Sequence, residues 1–425
     1  MRLKLMAGIA AALVLAAGAV AQSAPGGNTA ALLHRYVAEG KVPGIVVGIG
    51  KGDAPTHYFA EGRIAIDAGA PVADENSLWR VYSMTKPITG MAAMILVEQG
   101  KIKLDQPVSD FIPAFKNMRV MDGATTDKTH PATHPITIRN LLTHTAGLGY
   151  DLGQPDAPKG SLLALYREQG INPAQVNTQL EPGMRAIRPP TLEAFANKVA
   201  TMPLVAEPGT KWSYSIGLDV MGRVIEVASG MPFDKFLQTR IFDPLKMRST
   251  YFTVPGSEVG RFATNYFYAG DNRVVADANT TSVWLTPPSF PYGGAGLVMS
   301  ASDYDRFLHM LQDHGTLDGV RIMKPDTVAL AMSNLLPAGA DTTLLGGLTH
   351  AEGLLGFGAG GSVYLKDSPG VASKGTYGWG GAASTLAWID PVKNIRGIVM
   401  VNYMPTEHWP LRADLDKALA ADAMR

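Results

Sequence analysis

The chain has 425 residues, 46% of them hydrophobic, and its 37 basic side chains balance 37 acidic ones. That length allows one large domain or two intimate ones, and a neutral charge balance gives no reason to expect nucleic acid or an acidic partner. The absence of cysteine excludes disulfides and thiolate metal sites, while 46 glycines and 29 prolines announce many loops.

In chain order, the first signal is an address. Met1-Arg2-Leu3-Lys4 carries positive charge, Leu5 to Val20 is apolar and alanine-rich, and Ala19-Val20-Ala21 before Gln22 obeys the small-residue cleavage rule. A signal peptide over 1–21 is expected, with the mature domain over 22–425. The apolar run of about 16 residues is shorter than the ~20 needed to span a bilayer. Export to the periplasm or the medium is therefore expected, without stable membrane insertion. Ile45 to Gly50 and His57 to Ile64 then read as an N-terminal hairpin.

After Val81-Tyr82, apolar residues at Ile88, Met91, Ala92, Ile95 and Leu96 recur at helical spacing, and Gly100 stops the run. The pattern predicts an amphipathic helix with Ser83 in its first turn. Residues three apart share a helix face, so Lys86 projects beside the Ser83 hydroxyl. Pro87 is tolerated there because an early helical N–H has no intrahelical partner. A serine hydroxyl needs a neighbouring base to become a nucleophile, and a lysine with a lowered pKa is one such base. Alone, S-x-x-K is a weak signal, equally readable as an ordinary helix start.

Met118 to Pro135 and Leu148 to Pro190 are irregular and rich in loop formers. The second stretch suggests a cover, and residues 150–190 are expected to form part of a lid. Glu207-Pro208-Gly209-Thr210-Lys211-Trp212-Ser213-Tyr214-Ser215 leads into a second helix, Gly217 to Ser229, closed by Gly230. Tyr214 thus sits in the connection before a helix. Gly361 to Leu365, Ser384 to Ile389 and Ile395 to Val401 read as strands, the last two as a hairpin whose first strand begins at a glycine pair, and Leu411 to Ala421 as a terminal helix. Strands at both ends around a helical middle predict an α/β (α+β) fold. One antiparallel sheet would be built from both chain ends and flanked by helices, with a mainly helical region inserted.

Three other patterns carry less. Gly356-Phe357-Gly358-Ala359-Gly360-Gly361 matches G-x-G-x-x-G, yet a strand-like segment follows instead of a helix, which argues against a dinucleotide site. His130 and His134 lie among prolines without an H-E-x-x-H, so no metal is expected. His144 is read as a packed, hydrogen-bonded histidine, and no G-x-S-x-G elbow occurs.

Taken together, Ser83-Met84-Thr85-Lys86, Ile136 to Leu148, Pro208-Gly209-Thr210 to Tyr214, Gly293-Gly294-Ala295-Gly296-Leu297 and Trp379-Gly380-Gly381-Ala382 resemble the serine hydrolases of the class C β-lactamase/transpeptidase-like fold, most of all the family VIII carboxylesterases. The resemblance covers nearly the whole mature chain. It implies an α/β part at about 25–105 and 285–425 and a helical part at about 106–284. It further implies Ser83 as the acylated nucleophile, Lys86 and Tyr214 as the proton-transfer pair, and an oxyanion hole from the backbone N–H groups of Ser83 and Ala382. A phenol near an ammonium is pushed toward phenolate, which agrees with that assignment.

Two departures from the β-lactamase pattern bear on substrate. Tyr214-Ser215-Ile216 stands where β-lactamases have Tyr-x-Asn, and Trp379-Gly380-Gly381 where they have Lys-Thr-Gly. Without that amide and cation an anionic lactam is left unpaired, so Trp379, Gly380, Gly381 and Ile216 are expected to line a site for a small neutral ester. The expectation is an exported, cofactor-independent serine esterase. A β-lactamase or D-alanyl-D-alanine peptidase remains the nearest alternative enzyme, and a non-catalytic peptidoglycan- or ligand-binding relative the alternative of another class.

Overall fold

In strand Gly44–Lys51 the residues Gly44 to Gly48 are buried without interruption, the pattern of a strand covered on both faces. In the computed structural model, which describes residues 26–151 and 157–423, this strand lies between Ile395–Met400 and His57–Gly62. All three belong to a seven-stranded antiparallel sheet. The order across the sheet is Leu355–Phe357, Ser362–Tyr364, Tyr377–Gly380, Leu386–Asp390, Ile395–Met400, Gly44–Lys51 and His57–Gly62. The two chain ends therefore meet in its middle, as the sequence suggests. The expected signal peptide, 1–21, lies outside the described residues. No described helix is long and apolar enough to cross a membrane.

Side chains alternate across a strand, and here the alternation divides two cores. Ile45, Val47, Val399 and Val401 face the helices Gly27–Ala38 and Leu411–Ala423, packing on Leu32, Leu33, Tyr36, Leu411 and Leu415. Asp422 ties these terminal helices together: its carboxylate accepts from the Asn28 and Thr29 N–H groups at 2.9 and 3.0 Å and from the Thr29 hydroxyl at 2.7 Å. It thus supplies the cap that the first helix lacks in its own sequence. Val46, Ile398, Met400 and Ile389 face the other way, into a core shared with Met91, Leu141, Val224 and Phe307.

The helix Thr85–Glu98 runs through that second core and is buried on every side from Thr85 to Leu96. This corrects the expected amphipathic helix. Two of its polar side chains reach a loop more than two hundred residues away: the Thr85 hydroxyl accepts from Leu297 N–H at 3.1 Å and the Thr89 hydroxyl donates to the Gly293 carbonyl at 2.7 Å.

Two further differences concern strands. Tyr377–Gly380 is a strand in its own right, paired with Leu386–Asp390, so the Gly380-Gly381 pair ends one strand instead of opening the next. A tight turn follows, with Gly381 N–H donating to the Thr385 carbonyl at 2.8 Å and Ser384 at φ 68°. Within 106–284 the elements are not all helical, because Asn265–Ala269 and Asn272–Asp277 form a hairpin that pairs in parallel with Tyr403–Met404. Residues 157–190 hold two short helices, Leu162–Glu168 and Glu181–Ile187. Residues 152–156 of the expected lid are outside the described residues.

The short strand Leu78–Arg80, which delivers the chain to Ser83, is held by a buried ion pair. Arg80 donates to the Asp277 carboxylate through Nε at 2.9 Å and Nη2 at 2.5 Å, and to the Ala263 carbonyl at 2.5 Å. Removing one partner of such a pair strands a charge in the core. Asp277→Ala is therefore expected to lower stability by about 3–5 kcal/mol, measured by urea unfolding; a loss below about 1 kcal/mol would contradict this account of the strand.

Candidate active site

From Arg80 the chain turns sharply. Val81 N–H donates to the Leu297 carbonyl at 3.1 Å, and Tyr82 takes φ 41°, an uncommon backbone state for a bulky side chain. The surroundings hold it there: Asn265 donates to the Tyr82 hydroxyl at 3.1 Å, and Trp284 packs edge-on at 5.5 Å between ring centroids. One turn of 3-10 helix, Tyr82–Met84, then leads into Thr85–Glu98. Ser83 lies at this junction, 7% exposed.

Lys86 is wholly buried, and its Nζ donates to Ser83 Oγ at 3.1 Å and to the Gly294 carbonyl at 2.9 Å. Tyr214, in the loop before helix Gly217–Ser229, donates from its hydroxyl to the same Ser83 Oγ at 2.7 Å and accepts from Trp379 Nε1 at 3.2 Å. Three side chains named from the sequence thus meet at one oxygen. The ammonium also stands over two rings, 4.6 Å from the Tyr214 centroid and 4.9 Å from that of Tyr150, positions that favour a cation.

The remaining named residues separate. Trp379 joins the aromatic wall around Tyr214, which also contains Tyr150, Trp212 and His144, with Phe357 behind it. Gly380 and Gly381 carry the strand end against the turn that presents Ser83. A Cβ on Gly381 would lie 2.3 Å from both the Val81 carbonyl oxygen and Thr385 Oγ1, so only glycine permits that approach. Ala382 is exposed, and among the described residues its N–H makes no hydrogen bond. Ile216 is not at the surface of the site. It is fully buried in the main core, where its N–H donates to the Gly149 carbonyl at 3.1 Å and so steadies the turn that presents Tyr150.

The glycine-rich 356–361 stretch forms a hairpin turn on the back of the helix Thr85–Glu98. Gly360, at φ 79°, has its Cβ position 2.3 Å from the Lys86 carbonyl oxygen. Among the described residues no His, Asp or Glu cluster is arranged to hold a metal ion. His130 instead bonds Asp122 at 2.5 Å and Glu207 at 3.1 Å.

Sequence reasoning missed two groups. Tyr150 entered it only as the first residue of a lid, yet its ring meets Tyr214 at 4.7 Å, and burial pushes its phenol well above the ordinary range, with Tyr214 and Asp219 adding to the shift. Asp219 did not enter that reasoning. It is fully buried and accepts from Gly294 N–H through Oδ1 at 2.8 Å, while Oδ2 has no hydrogen-bond partner among the described residues. Burial raises its pKa to about 7, an effect the Lys86 charge opposes. No local pattern marks either residue, because their partners come from distant segments.

His144 packs behind the site, with Nδ1 at 2.9 Å from Ser215 Oγ and its ring 4.7 Å from that of Tyr214. Burial, reinforced by the Lys86 charge, lowers its pKa well below the usual value, so it stays neutral.

The beta-lactamase family model matches residues 29–421 of this chain. An uncharacterised protein of Mycobacterium tuberculosis is 32% identical over 347 residues, covering 80% of each chain. Esterase EstB of Burkholderia gladioli is 30% identical over 396 residues, covering 88% of this chain and 89% of its own. Among solved structures, EstCE1, described as a hydrolase with promiscuous acyltransferase activity, superimposes with a TM-score of 0.74 at 27% identity, covering 93% of this chain and 97% of its own.

The buried neutral histidine gives a signed expectation. The unfolded chain takes up the His144 proton near pH 6.5 and the folded chain does so only at lower pH. The site's contribution is therefore complete above about pH 6.5 and declines below it by at most about 1.4 kcal/mol per pH unit. Urea unfolding from pH 5 to 8 should show the stability gap between wild type and His144→Asn shrinking as pH falls; parallel curves would contradict it.

Proposed function

Because the chain belongs to the beta-lactamase family and is a serine hydrolase of it, we propose that it hydrolyses carboxylic esters through an acyl-enzyme on Ser83. The observation that carries this reading is the pair of hydrogen bonds at one oxygen, from Tyr214 at 2.7 Å and Lys86 at 3.1 Å. Ser83 Oγ attacks the ester carbonyl carbon as its proton passes along the short contact to the Tyr214 oxygen. For this step Tyr214 must first have released its own phenol proton to solvent; the Lys86 ammonium offsets the negative charge left on that oxygen until it accepts the Ser83 proton. The tetrahedral oxyanion is held by the N–H groups of Ser83 and Ala382. When the carbonyl–alkoxy bond breaks, Tyr214 returns the proton to the leaving alcohol. Water then enters by the same route in reverse, giving the acid and free Ser83.

The substrate side of the reading rests on what surrounds Tyr214. Its ring neighbours are Tyr150, Trp212, His144 and Trp379, a wall suited to an apolar or aromatic neutral ester and offering no cation for a lactam carboxylate. The similarity to esterase EstB and to the hydrolase EstCE1 supports the same direction. Residues 150–190 are proposed to shape the acyl or alcohol pocket: Tyr150 stands at the site, and Ala174 packs in one cluster with Tyr82 and Ala383. Export after cleavage near Gln22 belongs to the same proposal.

Steady-state kinetics on p-nitrophenyl butyrate and on a chromogenic cephalosporin test it. Wild type is expected to have the higher kcat/KM for the ester. Ser83→Ala should have no turnover, and Tyr214→Phe a kcat lowered by about 10² to 10⁴ with little change in KM. Faster turnover of the cephalosporin would favour the β-lactamase alternative, and a Tyr214→Phe enzyme within tenfold of wild type would remove the tyrosine from proton transfer.

A further inference from the structure

The acyl-transfer scheme gives no role to the buried carboxyl group of Asp219. Asp219 sits in the first turn of helix Gly217–Ser229, where the helix dipole favours negative charge. Its Oδ1 receives the Gly294 N–H at 2.8 Å, and the Gly294 carbonyl receives the Lys86 ammonium at 2.9 Å. Thr89 holds the adjacent Gly293 carbonyl at 2.7 Å, so the 293–294 backbone is clamped from both sides. Position 294 is closed to any side chain, because a Cβ there would lie 2.6 Å from Asp219 Oδ2.

We propose that Asp219 is a positioning residue for Lys86: through Gly294 it fixes the carbonyl that seats the ammonium, and through its own ionisation it decides whether a negative charge stands behind that ammonium. The proposal rests on the Ser83, Lys86 and Tyr214 mechanism and deepens it.

The groups that face Asp219 come from three elements: Lys86 from the nucleophile helix, Tyr150 from the turn after Leu148, and Tyr292 from the loop before Gly293. Burial pushes both phenols upward, leaving them neutral through the working range, so Lys86 is the only cation among the three. As a carboxylate, Asp219 gains from Lys86 but keeps Oδ2 buried with no hydrogen-bond partner among the described residues; as an acid, it loses that attraction and the desolvation cost together. These opposing effects bring its titration to about pH 7. Below that pH the ammonium is backed only by the Gly294 carbonyl and the rings. Above it, the carboxylate attracts the Lys86 side chain and holds it in place for the proton exchange between Ser83 and Tyr214.

The test compares wild type with Asp219→Asn, which keeps an oxygen to accept the Gly294 N–H but does not ionise, and with Asp219→Ala, which loses both. On p-nitrophenyl butyrate between pH 5 and 9, wild-type kcat is expected to rise through an inflection near pH 7. Asp219→Asn should lose that inflection while KM stays within about twofold, and Asp219→Ala should lower kcat at least tenfold further with KM again unchanged. A second readout needs no turnover. The unfolded chain releases this proton near pH 4 and the folded chain near 7, so ionising the site costs stability as pH rises across that window. Urea unfolding should therefore show Asp219→Asn gaining on wild type between pH 5 and pH 8.

A wild-type kcat profile flat from pH 6 to 8 overturns the proposal, and so do Asn and wild-type profiles that superimpose. Wild-type turnover by Ser83→Ala overturns the acyl-enzyme mechanism instead, and with it the positioning role of Asp219.

Discussion

A lysine amine with no exposed surface must find its partners inside the protein, and the need to seat Lys86 organises the centre of this fold. Its four neighbours are Ser83 Oγ, the Gly294 carbonyl and the rings of Tyr150 and Tyr214. Each arrives on a different element, so the positions of the nucleophile helix, the 293–297 loop, the turn after Leu148 and the loop before Gly217 are set jointly. Loss of any one neighbour would leave the charge in the core less compensated, at a cost of several kcal/mol for a poorly paired ion.

The architecture makes that burial possible. A sheet in which strands from both chain ends pair gives two cores, and the face away from the terminal helices is deep enough to bury the helix from Thr85 to Leu96 on every side. Backbone compactness matters as much as side-chain packing. Gly360 and Gly381 let a hairpin turn and a strand end approach the nucleophile segment more closely than any other residue would allow. The strained Tyr82 then aims Ser83 into the space between them. Strain at a nucleophile turn persists only where the surroundings over-determine it, which the Asn265 hydrogen bond and Trp284 ring do here.

What the sequence revealed follows from how local each signal is. The helix Gly217–Ser229 is legible to the residue, because its apolar stripe and its terminal Gly230 at φ 72° are both local features. The strands Gly44–Lys51 and Ile395–Met400 are legible for the same reason. Ser83, Lys86 and Tyr214 were found by resemblance to a family whose match spans residues 29–421, and the fold brings them together across 131 positions. The misses are the non-local cases. The helix Thr85–Glu98 reads as amphipathic because the partners of Thr85 and Thr89 lie 212 and 204 residues away. Tyr377–Gly380 was masked as a strand by its glycines, one of which, Gly378, lies against the neighbouring strand so closely that a Cβ would touch the Ala387 carbonyl. Ile216 is expected in the site because it stands at the asparagine position of the β-lactamase Tyr-x-Asn pattern, whereas its side chain is buried in the core. Asp219 and Tyr150 acquire their character only from burial beside a cation, which no short motif encodes.

Convergence of Lys86 and Tyr214 on a reactive Ser83 is tested most squarely by mass spectrometry of the intact and digested protein after treatment with a fluorophosphonate probe. A single adduct is expected, on Ser83, formed by wild type and strongly slowed in Tyr214→Phe and Lys86→Ala. Labelling at another serine, or undiminished labelling of Ser83 in both variants, would contradict it.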